Sequence, residues 1–110
     1  MAKKEIKVLI VEPGQNPRTA RIDNTLEAMQ EVVGGYIEVI QIGISPFVIV
    51  CNEEGKLLGL PENRPLGGDM IRGTFFIADT DGDEFASLDE RLGLSFFCSL
   101  FGRPPRGKPE

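Results

Sequence analysis

The stretch Cys51 to Arg64, CNEEGKLLGLPENR, gathers the side chains of this chain best suited to holding a polar ligand. Arg64 offers a planar fork of donors for a phosphate or carboxylate, Lys56 a compact positive charge, and Asn52 and Asn63 paired donors and acceptors. Glu54 stands among them, so the candidate ligand-binding set is Asn52, Glu54, Lys56, Asn63 and Arg64. Gly59 and Pro61 would let backbone approach a ligand and then stiffen the loop that carries Asn63 and Arg64. The same residues also suit a plainer part, with NEEG as a hairpin turn, Lys56 as its solvated flank and Asn63 as a loop capper.

Other chemistry is thinly represented. The chain has no histidine, which removes Ser-His-Asp triads, Cys-His dyads and imidazole-ligated metal sites. Its two cysteines make no zinc site on their own, and no metal or cofactor is expected. Asp79, Asp81 and Asp83 have the spacing of a calcium loop, with Glu90 at its last position. Glu84, however, stands where that loop needs glycine, and a strand leads in, so an acidic turn is expected. Glu53 with Glu54 and Asp89 with Glu90 are adjacent carboxylates; neighbours on a strand point to opposite faces, so neither pair is marked as an acid and base. The glycines of VVGGYIE follow a helix and precede a strand, the reverse of a phosphate-cradling loop.

A formal net charge of −5 repels phosphate backbones, so nucleic acid is not expected as a partner. The end of the chain, residues 102–110, runs the other way, with Arg103, Arg106 and Lys108 against Glu110, and reads as a flexible basic tail. Residues 1–101 read as a single domain with one core. The opening MAKKEIKVLIVEPG has an apolar run too soon interrupted by Glu12 and Pro13 for a signal peptide, and no run is long enough for a membrane span. The expected location is the cytoplasm, where Cys51 and Cys98 would stay thiols.

The elements that must position the strip can be read in order. EIKVLIVEP is apolar on both faces in its second half and predicts a central strand; PGQNP turns it into a return strand at RTARI. Asn24 with Glu27 has capping-box spacing ahead of TLEAMQEVV, and Gly34 and Gly35 end that helix. YIEVIQI and FVIVC predict two further strands, NEEG a hairpin turn and KLLGL its return strand. PENRPLGG reads as irregular loop, GTFFIAD as a buried strand, and Ser87 with Glu90 as the cap of a last helix through RLGLSFFCSLF. The order β-β-α-β-β-β-β-α predicts an α+β fold, a mainly antiparallel sheet with helices packed on one face. The apolar last segment also suggests a homodimer contact.

KVLIVEPG, IDNTLEAMQEVVGGYIEVI, VCNEEGKLLGLPENR and GTFFIAD, in this order and spacing, resemble the small proteins of domain-of-unknown-function family thirty-eight forty-six. The resemblance covers roughly residues 6 to 90 and implies an origin in Gram-positive bacteria, their phages and mobile elements. It implies no activity and no catalytic residues. Among the matching residues are Asn52, Glu53, Glu54, Gly55, Lys56, Gly59, Pro61, Asn63 and Arg64. The expected function is that of a phage or mobile-element accessory protein, a non-enzymatic binding module for a small anionic ligand or a host protein. The alternative is a small enzyme acting on a nucleotide-like substrate with carboxylate and arginine chemistry, and a third reading is an adaptor that captures another chain's strand at a sheet edge.

Overall fold

Strand β1 (Glu5–Val11) explains why the domain has two apolar layers. Ile6, Val8 and Ile10 face one side of the sheet, Leu9 and Val11 the other, and all five are buried. The protein, described here by a computed structural model, is defined over residues 4–88 and 95–102. Its further elements are β2 (Arg18–Asp23), α1 (Leu26–Val33), β3 (Ile37–Gln41), β4 (Val48–Asn52), β5 (Glu62–Leu66), β6 (Asp69–Arg72), β7 (Phe75–Asp81), β8 (Glu84–Ala86) and α2 (Ser95–Leu100).

The main sheet runs β2-β1-β7-β4-β3, every neighbouring pair is antiparallel, and β8 folds back on the end of β7. Two local hairpins, β1–β2 and β3–β4, thus flank a strand that arrives later in the chain. The register lines up Leu9, Ile77, Ile49 and Ile40 across one face and Ile10, Phe76, Val50 and Val39 across the other. α1 covers the second of these faces with Met29 and Val33. The first is covered by α2, whose Phe97 meets Phe47 edge-to-face at 5.3 Å, while Phe101 just beyond it meets Phe75 at 5.4 Å.

The α+β class and the mainly antiparallel sheet are as expected. The helices, however, lie on opposite faces, because β7 and β4 are apolar on both sides and each side needs its own cover. KLLGL is not a strand: residues 53–59 form compact turns, closed by Leu58 N–H to Glu54 C=O at 2.8 Å and Leu60 N–H to Gly55 C=O at 2.9 Å. β4 already has β3 on one side and β7 on the other, so no edge is left for an immediate return strand. Instead ENRPL, within the segment expected to be loop, pairs with DMIR just after that segment to form a separate hairpin, β5–β6. Gly67 and Gly68, at φ 57° and 88°, supply the two positive-φ positions of its tight turn.

α1 begins one residue later than its capping box suggested. Thr25 is the N-cap, its hydroxyl accepting the Ala28 N–H at 3.1 Å. Asn24 is engaged elsewhere, donating from its backbone to Lys4 C=O at 2.7 Å and from its side chain to Phe85 C=O at 3.4 Å. Gly34, at φ 80°, closes the helix. At the far end, the Ser87 hydroxyl accepts the Lys7 N–H at 2.9 Å. Glu90, the other half of the expected cap, lies outside the described residues, as does the expected basic tail beyond Gly102. Among the described residues no helix is long and apolar enough to cross a membrane.

Loss of the Thr25 cap is expected to cost about 1 kcal/mol. In urea denaturation, Thr25→Ala should lower the midpoint accordingly and Thr25→Asp should restore it, whereas a midpoint unmoved by Thr25→Ala would contradict the assigned helix start.

Candidate functional site

A groove of about 540 Å³ lies between the β3–β4 strands and the overhanging β5–β6 hairpin, closed at one end by the 53–57 turn. Its floor is apolar, formed by Ile40, Cys51, Leu66 and Ile71, all continuous with the α2-side core. Alternation along β3 brings Glu38 to the same face as Ile40, opposite Cys51. Glu53 and Glu54 come from the turn, and Asp69 and Arg72 from β6.

The charges around the groove are unevenly satisfied. Lys56 Nζ bonds both oxygens of Asp69 at 2.7 and 2.8 Å, and with the Met70 N–H it holds the Asp69 carboxyl below its usual range. Both partners are exposed, so this pair shapes the rim more than it stabilises the fold. Arg72 donates to Leu60 C=O and to the Glu62 carboxylate, each at 3.2 Å. The carboxylates of Glu38, Glu53 and Glu54 make no hydrogen bond or ion pair among the described residues. Beneath them, burial and the nearby Glu38 push the Cys51 thiol up to about 11, so at neutral pH it is an inert part of the floor.

The turn that carries Glu53 and Glu54 is fixed by Asn52. This buried side chain donates to Val33 C=O at the end of α1, 3.1 Å, and accepts the Glu54 N–H at 2.8 Å. The helix end must come close for that bond: a Cβ on Gly35 would sit 2.8 Å from the Asn52 amide nitrogen. Asn52 therefore positions the acidic turn from below.

The five residues expected to form one site fall into two groups. Asn52, Glu54 and Lys56 line the groove; Asn63 and Arg64 do not. Asn63 sits at the irregularity of β5 and donates to Val11 C=O at 2.9 Å and Gly73 C=O at 2.8 Å. Its oxygen accepts from Arg64 Nη1 at 2.8 Å. Arg64 is 2% exposed and also bonds Gln15 C=O at 2.6 Å and Phe101 C=O, from Nη2 at 3.1 Å and Nε at 3.3 Å. Desolvation lowers its pKa, yet a guanidinium starting so high stays charged. Every side chain named in this cluster ends on another part of the same chain.

The sequence reading did not assign Glu38, Asp69, Met70 and Arg72 to the site. Two signals were present: the period of YIEVIQI, which sets Glu38 with Ile40, and the Gly67-Gly68 pair, which marks a hairpin.

Removing the Arg64 guanidinium would leave buried carbonyls and the Asn63 oxygen without donors. Arg64→Ala is therefore expected to cost about 3 kcal/mol, and Arg64→Lys to recover only part of it, since an ammonium cannot reproduce the fork. Chemical denaturation of the two variants is the check; wild-type stability in Arg64→Ala would mean that the side chain is a solvent-facing ligand group after all.

No curated protein and no solved structure matches this chain. A family described as a domain of unknown function, DUF3846, matches residues 6–99, from β1 into α2 with every intervening strand, and the chain belongs to that family.

Proposed function

We propose that the protein is a non-enzymatic binding module and that the groove between β3–β4 and β5–β6 is where a partner protein docks. The observation that carries this reading is the imbalance of the groove: Glu38, Glu53 and Glu54 have no partner among the described residues, while Lys56 and Arg72 are each held by a carboxylate. Of the two ligand types expected from the sequence, this favours a partner protein with basic groups over a small anion. An anion would have to break the Lys56–Asp69 pair and would meet three free carboxylates. The chain's lack of histidine and the raised pKa of the groove thiol support binding rather than turnover.

That the module is an accessory protein of a phage or mobile element is carried over from the sequence resemblance alone, and its cytoplasmic location from the lack of any run long enough for a membrane span. The proposed homodimer contact is on α2: Phe97 and Phe101 are buried in the core, which leaves Phe96 and Leu100, four residues apart and more than half exposed, to meet a second copy.

Leu57 lines the groove and is 81% exposed, so it can report on occupancy. A photo-crosslinking amino acid at position 57, and a control at Thr19 on the far edge of the sheet, would be irradiated in the cells from which the protein comes. A discrete protein adduct from position 57 and not from position 19 is the expected result. No adduct, or the same adducts from both positions, would overturn the reading.

A further inference from the structure

The main sheet ends in β2 on one side and β3 on the other, and the two edges are built differently. On β2, the Asn24 N–H to Lys4 C=O bond sets the ladder phase, so Thr19, Arg21 and Asp23 turn their backbone groups outward. Two charged side chains thus stand along that edge, the usual protection against pairing with another chain. On β3, the bonds from Glu53 N–H to Tyr36 C=O, 2.8 Å, and from Ile42 N–H to Phe47 C=O, 3.0 Å, fix the phase. Glu38 and Ile40 then pair with β4, and the outward residues are Ile37, Val39 and Gln41. None is charged, and Val39 is 47% exposed.

The same alternation joins this edge to the groove. A strand laid beside β3 would exchange backbone hydrogen bonds with Ile37, Val39 and Gln41. Its residues opposite Glu38 and Ile40 would project to the groove face. There they meet Glu38 directly and the carboxylates of Glu53 and Glu54 beyond it.

We infer that the β3 edge takes an extended segment of a partner protein as an additional strand, and that a Lys or Arg of this segment reaches over the groove to the Glu38 carboxylate. Backbone pairing supplies the affinity, and the acidic groove selects the segment by charge. The inference deepens the binding-module reading and rests on the groove being the docking site.

The probe is a blocked pentapeptide, acetyl-Val-Lys-Val-Lys-Val-amide, titrated into the ¹⁵N-labelled protein and followed by NMR. Its binding should shift the amides of Ile37, Val39 and Gln41. The Glu-for-Lys version should bind at least about tenfold more weakly, and Glu38→Lys should narrow or reverse that preference. N-methylation tests the pairing without altering the protein. Methylating the valines, whose N–H groups face β3, should abolish binding, and methylating the lysines, whose N–H groups face away, should leave it within about twofold.

If the valine-methylated peptide binds as well as the parent and shifts only groove residues such as Leu57 and Met70, edge pairing is overturned and the groove reading stands. Equal binding of the Lys and Glu peptides overturns the charge selection, and no binding of either overturns the inference as a whole; the crosslink from position 57 then judges the groove independently. Shifts at Val39 that depend on protein concentration without peptide would assign the edge to a second copy, and would also overturn it.

Discussion

A buried cation, Arg64, ties together the β1–β2 loop, β5 and the end of α2. Arg64 lies within the core side of β5 and reaches Gln15 in the β1–β2 loop and Phe101 at the end of α2, while Asn63 beside it holds the last carbonyl of β1 and the Gly73 carbonyl just before β7. Burying a guanidinium is costly unless its donors are met, and here it meets backbone carbonyls and an amide oxygen rather than a carboxylate. The Phe101 carbonyl, at the negative end of α2, is well placed to receive a positive charge. The consequence is that the β5–β6 hairpin is fastened at its β5 end. From that anchor, β6 and the residues beside it form a wall over β4 and β3 without joining the sheet.

The groove is a by-product of that fastening. A hairpin held by side-chain bonds to loops, rather than by a ladder to β3, leaves a gap beside β3, and the gap has an apolar floor because the α2-side core runs out beneath it. Asn52 does for the acidic turn what Arg64 does for the hairpin: one buried polar side chain joins the end of α1, the end of β4 and the Glu54 backbone. Polar residues that look like ligand-binding groups thus act as internal ties, and the carboxylates they position are left facing solvent.

This division shows what could be read from the chain and what could not. β1, β7 and α1 were legible because their apolar residues repeat at the period of a strand or a helix and glycine follows their ends. The strip from Asn52 to Arg64 stood out for its polar composition, and the structure sets Asn52, Glu54 and Lys56 along one groove, with the Asn52 side chain spent on Val33 and Glu54. Arg64 was assigned to the same site because its planar fork suits a phosphate or carboxylate, and nothing local reveals that Phe101, 37 residues away, supplies its acceptor. KLLGL looked like a strand because NEEG before it has the chemistry of a hairpin turn, yet Leu57 and Leu58 are exposed, because β7 takes the place beside β4 that a local return strand would have filled. Non-local pairing was the missing information in both cases.

The clamp around Arg64 keeps the hairpin off the sheet edge, so that β3 presents free backbone groups beside an acidic groove. Amide hydrogen exchange by NMR on the protein alone tests this most directly. Glu38 and Ile40 should be protected by their bonds to β4, while Ile37, Val39 and Gln41 should exchange nearly as fast as an unstructured chain. Strong protection at Val39 would mean that the edge is already covered and that β3 has no free backbone groups to offer.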